Sequence, residues 1–241
     1  MYKFSKIDKL KPDFLSDNLV FGSCIHRILA EFNQEKMMGN NLSSDEIENM
    51  FKKDWKKSAK DNTDVQYSKG KSYRILLNQG VKMLSEFMKK VPENDATIVA
   101  IEEPFVFSIE GLEIPLIGVM DLVEEDEDGS LTITDYKTSK RAMAVREVDS
   151  SFQLTVYYTA AKANGYADRE INLKFDCLIK TQKPKFEQIY TSRCSDQSAK
   201  AIKKIKHVWD GIQKDVFIPN DTSWRCWGCS YKSYCNEWFL N

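Results

Sequence analysis

From Glu102 to Asp135 the chain carries eleven acidic residues and no lysine or arginine, and through that stretch its apolar residues recur at every second position. Period two means strands. Segments 97–109, 114–123 and 130–137 read as three of them, with turns at Glu110-Gly111 and from Glu124 to Ser130. Alternate strand residues share a face. Leu131, Ile133, Asp135 and Lys137 therefore point one way, and Val119, Asp121 and Val123 do likewise on the preceding strand. A hairpin brings Asp121 near Asp135. Two carboxylates at the end of mostly apolar strands repel unless something positive sits between them. A divalent cation does that, and hard oxygen ligands favour magnesium or manganese. Lys137 lies beside the same place, where an ammonium orients a water or stabilises charge on a phosphate. The plainer alternative is a set of strand-end salt bridges, and the Asp-x-Lys spacing alone does not decide against it.

Helices flank this region. In 22–35, Ile25, Leu29 and Phe32 recur at helical spacing. In 44–57, Ser43 and Glu46 suit a capping box and Ile47, Phe51 and Trp55 make one stripe. Segment 70–90 is a third helix, stopped by Val91-Pro92-Glu93-Asn94-Asp95. After the acidic hairpin come a helix at 152–164, strands at 171–180 and 186–191, and a basic amphipathic helix at 196–214 with Ile202, Ile205, Trp209 and Ile212 inward. This order predicts an α/β fold with a central mixed sheet flanked by helices.

The length of 241 residues, with 42% hydrophobic and 29% charged, is that of a soluble globular protein. No run of 18 apolar residues exists, so no transmembrane helix is expected. The opening Met1-Tyr2-Lys3-Phe4-Ser5-Lys6 is not a secretory signal. Six cysteines are too few for a disulfide scaffold, which makes the cytoplasm the expected compartment. A net charge of −1 excludes a uniformly basic nucleic-acid binder, but the charge is segregated. Eleven basic residues face four acidic ones in 52–90, and nine face three in 174–206. Such segregation suits a protein that holds a polyanion with one part and a metal with another, and suits solvated helix faces equally.

The run Gly118-Val119-Met120-Asp121, then Ile133-Thr134-Asp135-Tyr136-Lys137-Thr138, resembles the PD-(D/E)xK nuclease superfamily and in particular its RecB-like exonuclease branch. Three further segments extend the likeness. Phe21-Gly22-Ser23-Cys24-Ile25-His26 resembles the Gly-x-x-x-His helix start, Ile101-Glu102-Glu103-Pro104-Phe105 the acidic strand that opens the sheet, and Gln153-Leu154-Thr155-Val156-Tyr157 the Gln-x-x-x-Tyr helix. The five motifs come in the family's order over about 21–160. The resemblance implies a restriction-endonuclease-like core in a single nuclease domain over 1–241, with a helical segment at about 22–90, the nuclease core at about 97–192, and the basic helix and cysteine tail at about 196–241. It implies His26, Asp121, Asp135 and the Tyr136 carbonyl as ligands of Mg2+ or Mn2+, and Lys137 as the catalytic lysine. Gln153 and Tyr157, one helical turn apart, would orient the site or the strand. On residue type alone a lone histidine beside Ile25 and Leu29 is more often structural; the resemblance is what makes His26 a ligand.

The expected activity is metal-dependent cleavage of DNA, as an exonuclease on single strands or ends, in recombination, repair, phage replication or CRISPR adaptation, with a helicase or recombination protein as partner. The alternative is a non-catalytic nucleic-acid-binding subunit with a degenerate nuclease core. In the tail, Cys226-x-x-Cys229-x5-Cys235 lies among Trp224, Trp227, Tyr231, Tyr234 and Trp238. Three thiolates at this spacing suit zinc or iron–sulfur. In the iron–sulfur type of the branch, which includes CRISPR-associated and AddB-type nuclease domains, they resemble three ligands of a [4Fe-4S] cluster that staples the two ends of the domain. The fourth cysteine there precedes a Tyr-Lys-Phe-like segment. Tyr2-Lys3-Phe4 resembles that segment, so the expected cysteine falls upstream of Met1 and no fourth ligand is identified in the chain.

Overall fold

Helix α1 (Asp17–Met37) is longer than its apolar stripe predicts and buries Phe21, Cys24, Ile25, Ile28 and Leu29 at three- and four-residue spacing. The computed structural model describes residues 1–91 and 96–240, Trp224 by its backbone alone. Helix α2 (Ser44–Trp55) opens with the expected capping box: the Ser43 hydroxyl accepts from the Glu46 amide while the Glu46 carboxylate accepts from the Ser43 amide. Its stripe of Ile47, Phe51 and Trp55 is fully buried, and Phe21 of α1 meets Phe51 and Trp55 edge-on. Helix α3 (Tyr73–Lys90) packs against α2 at Gly80, where an added Cβ would stand 2.1 Å from the Phe51 ring. The part of the helix-stop signal at 92–95 lies outside the described residues. Two short strands, β1 (Leu15–Ser16) and β2 (Val65–Gln66), pair in parallel and pin the start of α1 to the loop before α3.

The main sheet has five strands in the order β3 (Thr97–Phe107), β4 (Leu116–Glu125), β5 (Leu131–Ser139), β6 (Ile171–Ile179) and β7 (Lys185–Thr191). Only β5 and β6 run parallel; the other pairs are antiparallel. The parallel pair is joined by a short helix α4 (Val145–Asp149) and by α5 (Phe152–Ala163), as a crossover connection requires. Both faces of β5 are covered. Tyr136, Leu122, Leu178 and Phe186 face α1–α3, whereas Leu131, Ile133, Leu173 and Phe175 face α5. Helix α6 (Ser195–Gln213) lays Ile202 and Ile205 against the second layer and leaves its lysines outside. The result is an α/β, restriction-endonuclease-like architecture: a mixed sheet between two helical layers.

The two chain ends meet. Phe4 is buried among Tyr231, Tyr234 and Trp238, with ring centroids 6.2–6.3 Å apart. The Asp13 amide donates to the Ser230 carbonyl, and the Ser233 hydroxyl donates to the Asp13 carboxylate. A 3-10 turn (Trp224–Gly228) carries Cys226 and is capped by Cys229, and α7 (Lys232–Leu240) carries Cys235.

Candidate active site

The site forms where β4 and β5 part. Their ladder ends at Leu122 opposite Thr134, so Asp121 and Asp135 stand one position beyond the last pair, where register would put them face to face. Instead Asp121 turns along the strand end and its Oδ2 accepts the Tyr136 amide at 2.8 Å. Beyond this point β4 follows β3 away from β5. The gap is roofed by α1 and forms a cleft of about 950 Å³ lined among others by Gly22, His26, Glu102, Tyr136, Lys137 and Thr138.

The side chains converge from α1, β4, β5 and α5. His26, one turn after Gly22 on α1, places Nδ1 3.3 Å from Asp121 Oδ2. Burial disfavours the imidazolium, but the hydrogen bond and charge of Asp121, with Asp135 behind it, outweigh burial and raise the His26 pKa. On the α5 side, Asp135 Oδ1 accepts from Gln153 Nε2 at 2.6 Å and from the Tyr157 hydroxyl at 3.2 Å. Gln153 Nε2 also reaches the Tyr157 hydroxyl at 2.8 Å, and Gln153 Oε1 accepts from Lys137 Nζ at 2.8 Å. The predicted Gln-x-x-x-Tyr face is thus turned onto Asp135, as helical spacing requires. Lys137 Nζ lies 2.5 Å from Asp135 Oδ2 as an ion pair and 5.0 Å from the Phe175 ring centroid. Burial pushes the Asp135 carboxyl up and Asp121 adds to the rise, while Lys137 pulls it down.

Sequence reasoning missed Glu102. Its backbone sits at φ +48°, a left-handed conformation in mid-strand that side chains rarely adopt. The kink turns its carboxylate into the cleft, and His26, Glu102 and Asp121 each offer a ligand atom within 4.8 Å of the others. Among the described residues this is the one such group of His, Cys, Asp or Glu. The Glu102-Glu103 pair was visible in the sequence, but a strand pattern cannot say which of two adjacent glutamates faces inward once the backbone leaves regular pleat.

The residues fit a divalent cation. Asp135 Oδ2 is buried and is met by the Lys137 ammonium as an ion pair. Among the described residues Lys137 is its single ion-pair partner, and with Asp121 one position beyond the same strand pair, a divalent cation between the two carboxylates would relieve their repulsion. The donors, carboxylate oxygens and one imidazole, suit a hard or borderline metal. Tyr136 enters the site through its amide and through its ring, which His26 meets edge-on, while its backbone lies in the β5–β6 ladder opposite Asp176.

The tail cysteines stand apart. Cys226, Cys229 and Cys235 are half-buried free thiols, and the Cys226 thiol donates to the Asn220 carbonyl at 3.2 Å. Of the aromatic residues expected around them, Trp227 is exposed, and the Trp224 side chain lies outside the described residues. The other three cysteines are committed elsewhere. Cys24 is in the α1–α2 core, where burial pushes its thiol up to about 12, Cys177 is in the α5 layer at about 12 for the same reason, and Cys194 is exposed at the start of α6. The tail thus offers the right donor type for an iron–sulfur cluster or zinc, but three sulfurs rather than four.

The sequence model of the PD-(D/E)XK nuclease superfamily matches residues 1–236. No curated protein sequence matches the chain. Among solved structures, a protein from Eubacterium rectale provisionally described as an exonuclease is similar at 14% identity and a TM-score of 0.48, over 93% of this chain and 90% of that one. The protein SSO0001 is similar at 12% identity and a TM-score of 0.41, over 95% and 89%.

Proposed function

The chain belongs to the PD-(D/E)XK nuclease superfamily, and on that premise we propose that it is a Mg2+- or Mn2+-dependent deoxyribonuclease whose centre is the strand-end cleft. The observation that carries this reading is the convergence of Asp121, Asp135, His26, Glu102 and Lys137 where β4 and β5 part. Asp121, Glu102 and His26 would hold the cation, with Asp135 Oδ2 facing it. A bound divalent ion polarises the phosphate and lowers the pKa of a water. The chain's own groups do the rest. The Lys137 ammonium, steadied by Gln153 Oε1, orients the attacking water and neutralises charge developing on the phosphate oxygens. Gln153 and Tyr157 hold Asp135 Oδ1, which fixes the direction of Oδ2 toward Lys137. His26 is locked by Asp121 and so presents its other nitrogen to the cleft.

On the same reading the substrate is single-stranded DNA or a DNA end, degraded exonucleolytically in the manner of the RecB-like branch, with unwinding left to a helicase or recombination partner. Recombination, repair, phage replication and CRISPR adaptation are the settings such chemistry serves, in the cytoplasm. Cys226, Cys229 and Cys235 are assigned to a [4Fe-4S] cluster lacking its fourth protein ligand here. No helix among the described residues is long and apolar enough to cross a membrane.

The test is cleavage of labelled single-stranded and duplex DNA in EDTA, Mg2+ and Mn2+, by the wild type, Asp135→Asn and Lys137→Met. The expected result is cutting only with metal, and a loss of at least ~100-fold in both variants, which keep wild-type folding. Unimpaired cutting by both variants would refute the site. Metal-independent binding with no cutting under any condition would favour the non-catalytic reading.

A further inference from the structure

Past Lys137, where β5 and β6 end, stands positive charge that the chemistry above does not use. Lys180 follows the last residue of β6, and its amide donates to the Ser139 carbonyl at 2.7 Å, which sets it beside Lys140 at the sheet end that carries Lys137. Its ammonium lies 4.7 Å from the ring centroid of Phe21, a fully buried residue next to Gly22, and Gly22 lines the cleft with Asn18, Leu19 and Thr138. Among the described residues Lys180 has no ion-pair or hydrogen-bond partner for its side chain. The acid that acts on it is Asp17, whose oxygens are already taken by the Ser68 amide and hydroxyl at 3.0 and 2.8 Å and by Asn18 Nδ2 at 3.0 Å. The other charges that act on it, Lys140 and Lys71, repel it. Burial, with these two lysines and against Asp17, pushes the Lys180 ammonium down to about 8. A half-buried cation among cations is costly in isolation. The cost is recovered when an anion arrives.

We propose that Lys180, beside Lys140 at the strand end that carries Lys137, is a phosphate-binding subsite for the nucleic-acid substrate. The inference rests on the nuclease reading for its ligand but not for its geometry. The shared chemistry is a phosphate oxyanion, supplied by an internal phosphodiester or by a terminal phosphate. Single-strand phosphates gain affinity from each cation they neutralise, with displacement of counter-ions. A subsite at the strand end past Lys137 also sets which bond of the bound strand lies over Asp135 and Lys137.

The experiment measures binding of labelled oligothymidylate in EDTA, where no metal is bound. Wild type, Lys180→Met and Lys180→Arg are each titrated with 5′-hydroxyl, 5′-phosphate and 3′-phosphate forms across a salt series. The methionine variant is expected to bind about five- to tenfold more weakly, with a salt slope smaller by about 0.7, and the arginine variant to restore both. Equal losses on all three forms identify an internal phosphodiester; a loss confined to one terminal form identifies that phosphate. Wild-type affinity should fall as Lys180 deprotonates between about pH 7 and pH 9, while that of the arginine variant holds. Thermal unfolding controls for structure: removal of a poorly solvated cation should leave the methionine variant at least as stable as wild type. Wild-type affinity and salt slope in Lys180→Met, on every form, would overturn the subsite. A chain that binds through Lys180 but never cuts would overturn the nuclease reading alone, and a chain that cuts while Lys180→Met binds normally would overturn the subsite alone.

Discussion

Gly118 and Phe105 share one side-chain volume: a Cβ added at Gly118 would stand 2.3 Å from the Phe105 ring, which lies over it from the neighbouring strand. The same ring meets Tyr157 edge-on at 5.9 Å, and the Tyr157 hydroxyl donates to Asp135. A glycine three residues before Asp121 therefore supports, through two aromatic rings, the carboxylate on the opposite strand.

Gly118→Ala should act on both ends of that chain. The methyl group must displace Phe105, an overpacking cost of about 1–3 kcal/mol. Displacing the ring removes the support of Tyr157 and loosens Asp135. The expected outcome is a lower denaturant midpoint together with a fall in cleavage rate. Phe105→Leu in the Gly118→Ala background makes room for the methyl and should return much of the stability, but not the ring that holds Tyr157. If the single variant unfolds and cuts like wild type, the close approach is not what glycine serves.

Legibility tracked regularity. The period-two and period-three-to-four patterns placed α2, α5 and every strand of the main sheet to within a few residues, because burial on two helical layers forces those periods. Strand alternation brought Asp121, Asp135 and Lys137 together in the sequence, and the family resemblance added Gln153 and Tyr157, whose i, i+4 step puts both on Asp135. What escaped lies where the backbone breaks rule. Glu102 reaches the cleft through a left-handed kink, and α1 begins five residues earlier than its stripe because its first turn is fixed by Asp17–Ser68 bonds rather than by apolar burial. Lys180 gave no signal, since its isolation depends on which charges the fold leaves without partners.

Metal affinity should separate His26 from Glu102. Both offer one ligand atom, but Glu102 brings a charge and His26 is neutral when it ligates. His26→Ala loses a donor that water replaces, so the Mn2+ concentration for half-maximal cleavage should rise about tenfold with little change in maximal rate. Glu102→Gln should shift half-saturation further, because the carboxylate charge is lost while the shape is kept. Equal half-saturation in wild type and both variants would remove the two residues from the metal site.

The aromatic staple between chain ends makes a claim about the cysteine tail that does not involve the cleft. Phe4 is held by Tyr231, Tyr234 and Trp238, which share their segment with Cys229 and Cys235. With three sulfurs, one iron of a cubane has no protein ligand and is labile. Anaerobically purified chain should therefore carry iron below four per chain and lose it readily to chelator, with increased exchange of amides in 1–13 and 224–238 on loss. Stoichiometric zinc, or no metal and unchanged exchange, would exclude the cluster.

On the α1–α3 side of the sheet, Glu124, Lys174 and Asp176 are buried together, with Lys174 Nζ 3.4 Å from Glu124 and 3.8 Å from Asp176. Burial raises the Asp176 carboxyl to about 6, with Glu124 adding to the rise and Lys174 and Gln188 opposing it. A carboxyl raised in the folded state binds its proton more tightly there than in the unfolded chain. Its contribution to stability is full below the unfolded value near 4 and is lost as pH climbs through about 6. A shift of roughly two units is worth about 2–3 kcal/mol. Asp176→Asn removes this dependence while Glu124 continues to pair Lys174. Urea unfolding of both proteins between about pH 4 and pH 7.5 should show the variant gaining about 2–3 kcal/mol on wild type as pH rises. A difference between the two that stays constant across that range would mean that Asp176 ionises in the folded protein as it does in the unfolded chain, and that Lys174 fully offsets its burial.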